Sequence, residues 1–383
     1  MTRLVELLTF AAMVAIAVLS VITIQNPLIW DNEPEEPTPV PATRVVQYTP
    51  LLPVIGEPLA LPVPPAPAQW ISECGTEMDL SWQGITDERL REMVASGEIP
   101  THVIRLRLAG NQISDVTPLA YLIYLESLDL WGNYVMDVSP LAALTGLVEL
   151  DLWGNNFADI SSLYTLTNLR TLSMCAGWDF SGDISVFRYF SDLTELGLSG
   201  GNISSNGFAY IAYLENLERF QLWGGSRFNS LSVFSNAENM THLTLNGISI
   251  SDLSPLSNFT GLVSLDLQHS RIVDISAIDF GNLTNLTILY LWGNYIIDIS
   301  PLSGLYNLVY LGLRGNRIVD VSPINGLTTL SWLAIDDNNI TDISSLEGLV
   351  GLNRLEMGGN PIAAEQIRNL RDALPWLYQI YYD

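Results

Sequence analysis

The side chains of this 383-residue chain that could do chemistry are three histidines (His102, His242, His269), two cysteines (Cys74, Cys175), 41 acids and 16 arginines. Lysine does not occur. Its absence removes the P-loop phosphate lysine, Schiff-base and pyridoxal chemistry and the kinase-type phosphate lysine together. The histidines and cysteines are too scattered for a zinc site with close ligand spacing, so no metal centre and no cofactor are expected. A net charge of −25 argues against nucleic acid, because binding a phosphate backbone needs cations. The surviving enzyme reading is a hydrolase built on a pair of carboxylates; otherwise the chain reads as non-catalytic.

Two further polar sets recur at a fixed interval. Asn111, Asn133, Asn155, Asn294, Asn316, Asn338 and Asn360 form one ladder. An amide both donates and accepts, so it suits backbone left unpaired where a chain turns off a strand. Asp115, Asp137, Asp159, Asp252, Asp274, Asp298, Asp320 and Asp342 form a second ladder four residues further on. Calcium needs several oxygens converging at about 2.3–2.6 Å. One carboxylate per strand spacing of about 4.8 Å does not supply that, which favours turn capping over calcium.

The element positioning both ladders is a repeat, Leu-x-x-Leu-x-Leu-x-x-Asn-x-Ile-x-Asp-Ile-Ser-Pro-Leu. Its first apolar position falls at Val103, Leu125, Leu147, Leu169, Leu193, Leu217, Met240, Leu262, Leu286, Leu308, Leu330 and Leu352, giving twelve units spaced by 22 to 24 residues. In each unit residues such as Leu147, Leu150 and Leu152 point inward, and Glu149, Asp151 and Trp153 alternate outward on a short strand. No unit buries its apolar side alone, so stacking must continue the core and both ends need caps. In Asp137-Val138-Ser139-Pro140-Leu141 and its copies, Ser is suited to cap a short helical turn and Pro to occupy its first position.

These motifs resemble the bacterial, internalin-like class of 22-residue leucine-rich repeats, over about 280 of the 383 residues. The resemblance implies an α/β repeat solenoid, curved, with a parallel β-sheet on the concave face, short 3-10 or extended turns on the convex side and helical caps. It also implies export and binding of other proteins on the concave face.

The seventh position of each unit faces out of the sheet and carries Trp131, Trp153, Trp223, Trp292 and Arg314, with Tyr290, Tyr310 and Trp332 on neighbouring outward positions. Two aromatic patches are predicted, on units two and three and on units nine to eleven. Such patches mark interaction sites, and Trp, Tyr and Arg dominate binding hot spots. The competing reading is that Trp-Gly-Asn was copied by duplication and the rings stack on one another. Asp129, Glu149, Asp151, Asp266, Asp336 and Glu356 share the face, so a basic or polar partner fits better than an acidic one. Protein is the expected ligand, with a glycan stacking on the rings, or a spacer without a ligand, as alternatives. Cys175 lies on the fourth strand, about 14 Å or more from Cys74 by strand spacing, against a limit near 7 Å for a disulfide. Two free thiols are predicted. His242 and His269 lie several strands from Cys175, which disfavours cysteine catalysis.

Units four to eight replace the ninth-position Asn by Gly177, Gly201, Gly225, Ile248 and Ser270, and Trp178-Asp179-Phe180 and Phe187-Arg188-Tyr189-Phe190 fall among them. A local site, a bend and ordinary repeat decay all fit.

Outside the repeat, residues 1–26 read as an export signal or transmembrane anchor: Leu7 to Ile24 is an apolar run of eighteen residues. Its length favours an uncleaved anchor over a cleaved signal. Residues 27–70 are a proline-rich stalk. Residues 71–102 form an N-terminal cap, with a helix opened by Thr86-Asp87-Glu88 and ended by Gly97 and Pro100. Residues 103–360 are the solenoid. Residues 361–383 form the C-terminal cap, with a helix from Ala363 to Leu374 and a last strand or tail from Trp376 to Tyr382. The chain is then exported, and either membrane-anchored with its repeats outside or secreted.

Overall fold

The computed structural model describes residues 76–383, apart from 176–179, 181–182, 200–202, 205, 225–226, 378 and 383. The anchor and stalk readings, Cys74 and Trp178 lie outside the described residues. Among those residues no helix is long and apolar enough to cross a membrane.

Fourteen short strands form one sheet in chain order, every neighbouring pair parallel. They are β1 (Glu77–Asp79), β2 (Arg105–Arg107), β3 (Ser127–Asp129), β4 (Glu149–Leu152), β5 (Thr171–Cys175), β6 (Glu195–Ser199) and β7 (Arg219–Trp223). Then follow β8 (His242–Asn246), β9 (Ser264–Asp266), β10 (Ile288–Tyr290), β11 (Tyr310–Gly312), β12 (Trp332–Ala334), β13 (Arg354–Glu356) and β14 (Gln379–Tyr381). Twelve of these are the predicted unit strands. The others belong to the caps: β14 pairs with β13 as a last strand, and β1 precedes the cap helix α1 (Asp87–Ser96) without any sequence periodicity to mark it.

Alternation along each strand puts the leucines in the core, where Leu147, Leu152 and their equivalents are fully buried. The opposite layer is a row of 3-10 turns, such as Ser139–Ala143 and Ser300–Gly304. Here the structure corrects the capping reading. Ser139 is itself the first residue of its turn and Pro140 the second, and no serine side chain caps it. The cap is the aspartate two residues earlier: Oδ1 of Asp137, Asp159, Asp298 and Asp320 accepts the serine N–H at 2.8 Å. The Thr117 and Ser254 hydroxyl and N–H groups hold Asp115 and Asp252 below the usual carboxylate range. The second ladder is therefore engaged in turns, and no metal-holding cluster exists among the described residues.

The asparagine ladder ties each unit to the next. Asn133 donates through Nδ2 to Leu130 O in its own unit and Leu108 O in the previous one, at 3.0 and 2.9 Å, while its Oδ1 accepts from Ile113 N at 3.1 Å. Asn155, Asn316 and Asn338 repeat the pattern. Ser270 substitutes by donating its hydroxyl to Leu245 O at 2.9 Å. The residue before each rung takes a left-handed backbone, with φ of 63° at Gly132, which explains the Gly of Trp-Gly-Asn. His269 and Asp337 adopt it at the cost of a Cβ, with φ of 54° and 53°.

The irregular units are filled by phenylalanine. Phe180, Phe187, Phe190, Phe208, Phe220 and Phe234 are all buried, and the Phe208–Phe228 and Phe220–Phe234 ring pairs meet edge to face at 5.0 and 4.9 Å. Phe180, Phe187 and Phe190 thus belong to the core and not to a surface site.

Both ends are sealed by helices. Thr86 caps α1 by accepting from Arg89 N, Gly97 ends it at φ 77°, and Leu90 and Met93 enter the core. At the other end α2 (Ala364–Ala373) buries Leu370, and Leu374 and Leu377 follow it into the core.

Candidate functional site

The open face of the sheet is defined by three outward rows, the third, fifth and seventh residues of each unit. Register places these side by side on neighbouring strands, about 4.8 Å apart. In the seventh row Trp131, Trp153, Trp223 and Trp292 are half-buried rather than exposed, because the rings pack on one another. Trp153 and Trp223 stand three strands apart, yet their ring centroids are 5.0 Å apart, edge to face. The indoles meet because the seventh-row residues between them, Cys175 and Ser199, are small. Trp131 pairs with Trp82 at 5.5 Å, and Trp82 lies over Gly110, where any Cβ would collide with its ring. Trp82 went unrecognised in the sequence because it precedes the repeat.

The second patch is a triangle: Tyr290 to Trp292 5.5 Å, Tyr290 to Trp332 5.9 Å and Trp292 to Trp332 5.7 Å. Trp292 sits over Gly312 in β11, where a Cβ would overlap the indole nitrogen. That N–H is buried and has no hydrogen-bond partner. Trp332 donates its indole N–H to Glu356 at 3.0 Å. Tyr290, Tyr310, Ser331, Trp332, Asn353 and Arg354 line a hollow of about 380 Å³. The predicted second patch is a group of touching rings, whereas the residues of the predicted first patch fall into two ring pairs, Trp131 with Trp82 and Trp153 with Trp223. Arg314 stands apart, paired with Asp337 at 3.2 Å.

The charges on this face are unevenly matched. Arg105 pairs with Glu77 at 3.6 Å, Arg107 with Asp79 at 3.8 Å, Arg219 with Glu195 at 3.3 Å, and Arg354 with Glu356. The fifth-row acids fare worse. Burial lifts Asp151 from 3.8 to about 7, against the single hydrogen bond from Trp153 N and with the charge of Asp129 adding to the rise. Burial also lifts Asp266 to about 6, although Gln268 donates to it through both its N–H and its side-chain amide. Asp129, and Asp336 in the seventh row, are raised by burial too, with Arg107 and Arg314 offsetting part of the effect. Asp129 and Asp151 are register partners on β3 and β4, an unfavourable like-charge juxtaposition. Cys175 is a free thiol.

The family model for the leucine rich repeat matches residues 260–318. An internalin from Listeria monocytogenes is 29% identical, with a TM-score of 0.67, over 77% of this chain and 87% of that one. The chain has an internalin-like leucine-rich repeat fold. A leucine-rich repeat protein of Leptospira interrogans shares the fold at 19% identity and a TM-score of 0.61, over 80% of this chain and 95% of that one. The functional domain of InlJ from Listeria monocytogenes does so at 18% and 0.55, over 74% and 63%. No curated protein matches the sequence. In this chain the three outward rows together hold these groups of touching rings and a set of poorly compensated carboxylates, on a fold that suits protein binding.

Proposed function

We propose that the chain is exported and recognises another protein through the concave, open face of its sheet. The observation that supports this reading is the presence of the ring pairs Trp82–Trp131 and Trp153–Trp223, and of the Tyr290, Trp292 and Trp332 triangle with Tyr310 lining its hollow, on the one layer of the solenoid that the 3-10 turns do not cover. Aromatic side chains that keep partial exposure while holding each other rigid lose little entropy when a partner covers them. The apolar run from Leu7 to Ile24 supports delivery to the cell surface, as an anchor or as a cleaved signal.

The test is affinity capture from native cell-envelope and culture material with the full-length chain, beside a variant carrying Trp131→Ala, Trp153→Ala, Trp292→Ala and Trp332→Ala. A protein retained by the parent and lost by the folded variant is the expected result. Retention by both, or elution by soluble sugars, would defeat the reading.

A further inference from the structure

On one part of the face, among the described residues of strands β4 to β7, the one arginine is already paired. Strands β4 to β7 present Glu149, Thr171, Glu195 and Arg219 in the third row, Asp151, Ser173, Gly197 and Gln221 in the fifth, and Trp153, Cys175, Ser199 and Trp223 in the seventh. Because the indoles of Trp153 and Trp223 lean toward each other over Cys175 and Ser199, they form a continuous aromatic wall about three strands long. Beside it the fifth row is lowest at Ser173, which is half-buried, and at Gly197, which is buried. A Cβ on Gly197 would already touch Ser173 Oγ at 3.4 Å, so the floor is low because the residue is glycine. In register, Asp151 stands at the β4 end of this fifth-row trough, and Glu149 and Glu195 occupy the third row beside it. The only arginine on these four strands, Arg219, is engaged by Glu195 at 3.3 Å.

We infer that this trough is the seat of a lysine or arginine side chain from a basic segment of the partner protein, a conclusion that rests on reading this face as the binding face. An aromatic wall attracts a cation through the ring quadrupole, and more strongly as water is excluded. A carboxylate at the end of the same trough gives the cation its hydrogen-bonding partner. Burial without a cation explains why Asp151 is pushed furthest from the ordinary carboxylate range, and an incoming cation removes that cost. The chain's net charge of −25 also draws a basic partner from a distance, within the reach set by salt. The second aromatic patch is different: Arg354, itself paired with Glu356, lines its hollow, so it suits neutral groups of the same partner.

The probe is a ten-residue capped peptide alternating glycine with lysine and arginine, titrated into the full-length chain at pH 8 and low salt, with tryptophan fluorescence and calorimetry as readouts. Its counterpart with glutamate at every cation is the control. We expect saturable binding of the basic peptide alone, weakened ten-fold or more by Asp151→Asn and by Gly197→Leu, which fills the floor without changing charge. Glu347→Gln, which removes one negative charge from a turn on the opposite layer, should change affinity less than about two-fold. No saturable binding below about 1 mM, or equal loss in Glu347→Gln, would overturn the trough assignment, as would undiminished binding by both trough variants. Those results leave the concave-face reading to its own tryptophan test. Capture lost in the tryptophan variant but kept in Asp151→Asn and Gly197→Leu would uphold that reading and reject the cation seat.

Discussion

Replacing Asp151 by Asn isolates the energetic cost of burying a carboxylate with no cation. Asn keeps an oxygen to accept the Trp153 N–H, which Asp151 now accepts at 2.8 Å, so the backbone loses nothing. The folded-state value of about 7 lies above the unfolded 3.8, so between these two pH values the native chain binds more protons than the unfolded one. Stability contributed by the neutral acid is therefore fully present below about pH 4 and lost as pH rises to about 7. The gap between 3.8 and about 7, at about 1.4 kcal/mol per pH unit, sets an upper value of about 4 kcal/mol, and relaxation around the site brings the expected effect to roughly 2–4 kcal/mol. Chemical denaturation at pH 4 and pH 8 should find Asp151→Asn more stable than the parent at pH 8 and nearly equal to it at pH 4. Because long repeat arrays do not always unfold as one unit, hydrogen exchange on β4 and β5 should show the same pH-dependent gain locally. A variant less stable than the parent at pH 8, or a gap identical at both pH values, would refute the assignment of an uncompensated buried charge.

The ladder and the glycine seats make two further predictions. Asn133→Ala orphans the buried Ile113 N–H and removes one partner each from the Leu108 and Leu130 carbonyls, which keep Asn111 and Asn155 respectively. It should cost about 2–4 kcal/mol in urea denaturation. Asn360→Ala, at the less buried last rung, should cost less, and equal losses would contradict the argument from burial. Gly312→Ala puts a methyl where the Trp292 indole now rests, costing about 1–3 kcal/mol and lifting the ring toward solvent. Acrylamide quenching should rise; unchanged quenching with unchanged stability would show that the indole does not use that seat.

Most of the fold was legible because its determinants are local and repeated. Leu147, Leu150 and Leu152 announce an inward face by alternation, and Asn155 follows at the spacing that a turn off the strand requires. The strand β1 was not legible: Glu77-Met78-Asp79 is three residues with one apolar centre, and only β2, already folded, supplies its hydrogen bonds. The role of Ser139 was misjudged for a related reason. Serine and aspartate both cap turns, and the choice between them depends on which residue the 3-10 turn starts at, a one-residue distinction that tertiary packing decides. Phe187 and Phe190 looked like candidates for a surface site because they interrupt the leucine pattern, yet longer units leave more interior volume and the larger rings fill it.

The open face of the sheet shows where sequence reading ends. Outward position was readable for Trp131, Trp153, Trp223 and Trp292, since it follows from period two. Whether an outward ring is free or packed depends on the size of residues 22 to 24 positions away, and Cys175 and Ser199 determine the meeting of Trp153 with Trp223 as much as the tryptophans do. Charge follows the same logic. Counting acids on the face gives Asp79, Asp129, Asp151 and Glu195 equal standing, but Arg107 engages Asp79, Arg219 engages Glu195, and Asp151 is left beside Asp129 with one backbone N–H. A carboxylate kept desolvated and unpaired lowers the stability of the free chain, and the same desolvation strengthens its attraction for a cation that enters the trough. Asp151, raised by burial with no arginine beside it, is therefore the acid from which a lysine or arginine arriving under the proposed reading would gain most, and it would gain less from the paired acids on the sheet.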